Sequence, residues 1–226
     1  MKNKYLFLLP IRTILFVIGF YIVSIISNKN INDTSAWWTF IVNVVNIIVI
    51  GILIRICKKN NIKFMQLFKQ NNKKIKRIEI ILVPIFIAIL ALLGMNISAF
   101  LIYKELPYTP ECMFQPIPII WAICNIILLP ITTTLAEEGL YLGVGVNNIE
   151  NKYLSILIPM FFYLLQHSFF PVILDIKFII FRFISFIFMI LFICVYYKRR
   201  KYVKPIMIGH FITNFVTAIE LLFLSI

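Results

Sequence analysis

Seven stretches of about twenty mostly apolar residues, separated by short polar turns, restrict this chain to one kind of solvent. In a bilayer every backbone polar group must be satisfied within its own segment, so such stretches cross as helices. Of the 226 residues, 62% are hydrophobic, against about 45–50% in soluble domains. The sequence therefore predicts an all-α, polytopic transmembrane helix bundle of about seven helices, within a range of six to eight. It forms a single integral membrane domain over residues 1–226, with no room for a soluble domain.

The apolar runs place the helices at roughly Tyr5–Ile26, Trp37–Cys57, Ile78–Tyr103, Ile119 through Pro130 into EEGLYLG, Tyr153–Phe170, Phe178–Tyr197 and Val203–Leu224. Pro130 should kink or break the fourth. Trp37 and Trp38 read as interfacial anchors, and Arg12 as a side chain that snorkels to the head groups. The aromatic runs FFYLL and FIIFRFISFIF read as lipid-facing bulk. Lys2 and Lys4 precede an apolar run with no small-residue cleavage site, which predicts a retained first helix.

Net charge is +13, but the cations are not spread evenly. They cluster between Arg55 and Arg77 and again in KRRKYVK, Lys198 to Lys204. That is the positive-inside pattern of cytoplasmic loops. It predicts a multi-pass cell-membrane protein with a cytoplasmic N-terminus and anionic lipids as partners at the cytoplasmic face. Without a basic and aromatic stacking module, nucleic acid is excluded as a partner. Ile62, Phe64, Met65, Leu67 and Phe68 among the lysines suggest a short amphipathic piece on the membrane surface. Cys57, Cys112, Cys124 and Cys194 show no CxxC and read as small apolar residues.

Ionisable groups in hydrocarbon are costly and mark function by default. The only two histidines, His167 and His210, and the only adjacent acids, Glu137 and Glu138, all lie inside apolar stretches. At about 1.5 Å of rise per residue, His210 lies about 10 Å from the inner helix end, Glu137 about 14 Å, Asn214 about 16 Å and His167 about 21 Å. Within boundary error of a few residues these share one layer. His210 and Asn214 are i,i+4 and face the same way, as are Tyr163 and His167. Glu137 and Glu138 are about 100° apart on a helix, so one faces the site while the other supports it. A buried carboxylate with a histidine suits water activation, and a second histidine with an amide suits oxyanion stabilisation. Glu137, His167 and His210 are also a zinc-type ligand set. Metal-free and zinc-dependent hydrolysis both remain open at this stage.

Glu137–Glu138, the Tyr163–His167 pair and the His210–Asn214 pair together resemble the CAAX protease and bacteriocin-processing family of intramembrane proteases, which includes the type II prenyl-protein endopeptidases. The resemblance covers roughly Ile119 to Leu224, a protease-like core within 119–224. It implies an intramembrane endopeptidase in which Glu137 and His167 activate water, while His210 and Asn214 stabilise the oxyanion or help bind a metal. Glu138 and Tyr163 would support them. The substrate would be a membrane-embedded or lipidated peptide or protein, cut near the cytoplasmic side in a cavity open to the inner face. The family carries an arginine four residues after the second glutamate, where this chain has Leu142. Arg182 or Arg12 would then have to supply that charge from another helix. The alternatives are a catalytically degenerate scaffold or bacteriocin self-immunity protein of the same fold, or a small transporter component.

Overall fold

The structure, a computed structural model, describes residues 4–68, 75–106 and 110–226. Among them are eight α-helices: α1 Ile11–Ser27, α2 Trp38–Lys59, α3 Arg77–Tyr103, α4 Ile119–Glu137, α5 Leu154–His167, α6 Ile176–Ser185, α7 Ile187–Arg200 and α8 Lys204–Ser225. No strand occurs among the described residues. Six segments are long and apolar enough to cross a membrane, and α5 is a shorter seventh. The protein is a multi-pass membrane protein.

All seven expected segments are present, with three local departures. The fourth runs through Pro130 without a break, because a membrane helix tolerates proline where neighbouring polar side chains and backbone adjustments absorb the lost bond. It continues as a π-helical stretch, Glu138–Val146. Crossing six divides into α6 and α7 at Phe186. Crossing five ends as a helix at His167 rather than Phe170, about 21 Å after it begins. Residues 168–172 go on without helical structure, yet they are mostly buried. Such backbone survives at membrane depth only when protein covers and satisfies it. Arg182 does so here, donating from Nε to the His167 carbonyl at 3.2 Å and from Nη2 to the Phe170 carbonyl at 3.4 Å.

Polar contacts sort the loops into two ends. At one, Arg200 pairs with Glu79, and Lys201 Nζ donates to Asn147 Oδ1 at 2.7 Å. Asn147 in turn donates to the Leu67 carbonyl and to Tyr197 Oη. This end gathers the basic segments. At the far end, Trp38 Nε1 donates to the Met113 carbonyl at 2.9 Å, Leu174 N to Asn32 Oδ1 at 2.8 Å and Ile117 N to Ser225 Oγ at 3.1 Å. Trp38 is therefore a buried bonding partner, and only Trp37 keeps the exposure of an anchor.

The piece containing Phe64 to Phe68 does not lie on the surface. Leu67 and Phe68 are buried, and Phe64 and Leu67 press on Gly139 and Gly143, where a Cβ would meet them at 3.3 and 3.1 Å. The aromatic runs likewise split: Phe161, Ile180 and Phe188 are exposed, whereas Tyr163, Phe178 and Phe181 are buried.

The packing that positions the site has a polar side and an apolar side. Between α2 and α4, Asn43 Nδ2 donates to Asn125 Oδ1 (2.9 Å), Thr132 to Asn43 Oδ1 (2.7 Å) and Asn46 Nδ2 to Thr133 (2.9 Å). Such bonds hold membrane helices together where lipid gives no hydrophobic drive. On the other side, α8 meets α3 closely at Gly209, where a Cβ would lie 2.9 Å from Pro84 Cα. Further along, α3 meets α6 instead: Gly94 abuts the Ser185 carbonyl and Ser98 Oγ bonds Ser185 Oγ at 2.6 Å. A cavity lies where α3 has left α8.

A candidate active site between the helices

Four helices and the π-helical stretch converge on one polar cluster. Glu137 ends α4 and Glu138 begins the π-helical stretch. His167 ends α5, His210 sits one and a half turns into α8, and Arg12 opens α1.

Glu137 Oε1 lies 2.5 Å from Arg12 Nη1, both side chains fully buried. Its other oxygen is 3.4 Å from His210 Nε2. Glu138 Oε1 is 2.9 Å from His210 Nδ1. Both glutamates thus meet the same imidazole, one at each nitrogen. Glu137 lines the cavity and Glu138 does not, so one faces the site while the other supports it through His210. If His210 carries hydrogen on both nitrogens, its charge and that of Arg12 balance the two carboxylates.

Arg12 does not snorkel. Besides Glu137 it contacts Gln166 Oε1 and donates to Asn46 Oδ1 at 2.5 Å, with Phe16 under its guanidinium. A buried carboxylate needs a partner of opposite charge, and Leu142, itself fully buried, offers none. Arg12 therefore supplies the missing guanidinium, to Glu137 rather than Glu138. Arg182 serves the backbone after α5.

His167 is held in a different way. Its ring stacks between Tyr163, at 5.7 Å and 14°, and Phe186, at 4.2 Å and 23°. Tyr163 stacks in turn on Tyr141 at 4.4 Å, and Arg182 covers the Phe186 face. Stacking fixes the plane of the imidazole, yet neither nitrogen has a hydrogen-bond partner among the described residues. Both nitrogens are themselves buried, so the ring carries two unsatisfied polar atoms at the edge of the cavity. Tyr163 Oη donates to Glu138 Oε1 at 3.3 Å and lies 3.4 Å from His210 Nδ1.

Glu137, His167, His210 and Asn214 all line one cavity of about 820 Å³. Asn214 Nδ2 donates to the His210 carbonyl at 2.9 Å, one turn back. The structure thus brings together the four residues predicted from sequence, with Glu138 and Tyr163 behind His210. The cavity runs to the far end, where Pro110, Met113, Phe114 and Glu220 line it. Among the described residues none of the basic segments lines it, so the cavity opens away from the basic end.

Sequence reasoning missed Gln166, Asn46, Tyr141 and Phe186. A signal existed for Asn46: Thr39, Asn43 and Asn46 recur at helical spacing in an otherwise apolar stretch. None exists for Phe186, which is one of 22 phenylalanines.

A metal-binding set would need ligand atoms pointing at one shared point. Among the described residues no three His, Cys, Asp or Glu side chains are so grouped. Both nitrogens of His210 face carboxylates.

Residues 119–216 match a family model described as Rce1-like, type II CAAX prenyl endopeptidase. Over those residues the chain matches the CAAX protease family that the three motifs resemble, and the matched segment contains every one of them. The match supports a protease of the CAAX type. No curated protein and no solved structure matches the chain.

Proposed function

We propose that the protein is an intramembrane endopeptidase that hydrolyses a peptide bond in a membrane-associated or lipidated substrate, using water held between Glu137 and His167. The observation that carries this reading is the His167 ring, fixed by stacking but with both nitrogens unpartnered, in the cavity wall with Glu137.

The water oxygen adds to the carbonyl carbon while its proton passes to His167 or Glu137. Asn214, through the second hydrogen of its amide, donates to the oxyanion, while His210 stays with the two carboxylates. Collapse of the intermediate breaks the C–N bond, and the held proton goes to the leaving amine. The products are a carboxylate and an amine. Arg12 and His210 fix Glu137 and offset the cost of burying its charge. We take the chemistry to be free of metal, a reading supported by the engagement of both His210 nitrogens with carboxylates. The positive-inside pattern supports a cell-membrane location with a cytoplasmic N-terminus, and anionic lipids at the basic end.

A non-catalytic scaffold or self-immunity protein of the same fold is the competing reading. It rested on Leu142, which leaves Glu138 without the family's arginine; Arg12 beside Glu137 and His210 beside Glu138 weigh against it. The test is cleavage of membrane peptides by purified protein in detergent, compared with Glu137→Ala and His167→Ala. Each variant should lose about 100-fold or more, and a metal chelator should leave the parent rate unchanged. Equal cleavage by both variants and the parent would discard the proposal.

A further inference from the structure

The cavity has a direction, and apart from Asn214 its wall has a pattern that the hydrolytic chemistry does not use. From His210 outward, α8 presents Thr213, Asn214, Thr217 and Glu220 to the cavity. These positions recur at helical spacing. The first three donate to their own helix, Thr213 and Asn214 to the His210 carbonyl and Thr217 to the Thr213 carbonyl. Their side-chain oxygens are thus left free to accept a hydrogen bond on the cavity wall. The opposite wall, Ala88, Ala91, Leu92 and Met95 on α3, is apolar. The result is a mostly apolar cavity in which one line of hydrogen-bonding side chains on α8, flanked by Ile212, Val216 and Phe223, leads to a single carboxylate.

The charge of the molecule gives that outer limit a side of the membrane. Fourteen of the 22 Lys and Arg lie in residues 55–77 and 198–204, and the eleven of these among the described residues sit at the end that the cavity does not reach. The segments of the far end carry five acids, Asp33, Glu105, Glu111, Asp175 and Glu220, against three cations, Lys29, Lys104 and Lys177. By the positive-inside rule the far end is extracytoplasmic.

We infer that the substrate reaches the cavity from the extracytoplasmic side, lies extended along the α8 stripe, and sets a basic residue against Glu220. This rests on the protease reading for the existence of a cut bond. From His210 to Glu220 is ten residues of helix, about 15 Å. An extended peptide covers about 3.3 Å per residue, so the basic residue stands four or five positions from that bond. The preferred substrate is an exported, mostly apolar peptide with one cation at that spacing.

Two experiments test this, and they fail separately. In the full-length protein with Cys112→Ser and Cys124→Ala, Glu220→Cys and Lys59→Cys are each exposed to a membrane-impermeant maleimide in intact cells. Glu220→Cys should label at least about tenfold faster, and permeabilisation should equalise the two. Faster labelling of Lys59→Cys overturns the sidedness whether or not the protein cuts peptides. In the second experiment, apolar fluorogenic peptides carry one lysine at two to eight positions from the cut bond. The parent's kcat/KM should peak at four or five, and Glu220→Gln should lower the preference for lysine over glutamine there by about threefold to fivefold. A flat series, or a preference unchanged in Glu220→Gln, overturns the stripe. Failure to cut any peptide, with labelling as expected, sinks the protease reading and leaves the sidedness standing.

Discussion

The two buried arginines sit in the same oily interior and do different work. Arg12 is fully buried and is met by a carboxylate, a glutamine and an asparagine, each on a different segment. Arg182 is nearly as buried but is met by two backbone carbonyls and two aromatic faces, with no carboxylate in contact among the described residues. The first balances charge at the site, and the second repairs the backbone where α5 stops. Burial alone, then, does not tell what an arginine is for. Its partners do, and they come from segments distant in sequence.

The contrast can be broken by substitution, starting with the largest effect. Arg12→Met leaves the buried Glu137 with only His210, at 3.4 Å, as a partner of opposite charge, and the cost should be about 3 kcal/mol. Denaturant titration in detergent checks it, and a loss below about 1 kcal/mol would mean that His210 alone suffices for Glu137. Arg182→Met strands only two carbonyls, so it should cost about 1–3 kcal/mol. Its activity should fall further than its stability suggests, because the His167 carbonyl is one of the two. An unchanged rate would separate Arg182 from the site. Asn46→Ala removes bonds to Arg12, Thr132 and Thr133. At about 0.6 kcal/mol for an average interhelical membrane bond, the loss should lie near 1–2 kcal/mol by the same titration. Tyr163→Phe keeps the ring stack and deletes only contacts of 3.3 and 3.4 Å. Stability should change by less than about 1 kcal/mol, and a larger change would give the hydroxyl more importance than its geometry suggests.

The crossings were legible because hydropathy alone decides them. The site was legible for a related reason: His167, His210, Glu137 and Glu138 have no business in hydrocarbon unless they meet. What stayed hidden depends on contacts between segments. Arg12 lies near a helix end, and from there snorkelling and burial look the same in sequence. The stop at His167 is stabilised by Arg182, fifteen residues on. Leu67 and Phe68 sit among lysines that suggest a surface, yet Gly139 and Gly143 leave room for this segment to tuck against the bundle. Leu142 was correctly noticed as a missing charge, and only the fold could name its replacement.

The measurement that bears most directly on the site needs no substrate. Arg12→Met, Glu137→Gln and the two combined form a double-mutant cycle, read by unfolding in detergent. If α1 and α4 bring these groups together as described, the pair should be coupled by at least about 1 kcal/mol, with the double variant more stable than Arg12→Met alone. Additive losses would mean that the two side chains do not meet, and the convergence on which the catalytic reading stands would be contradicted.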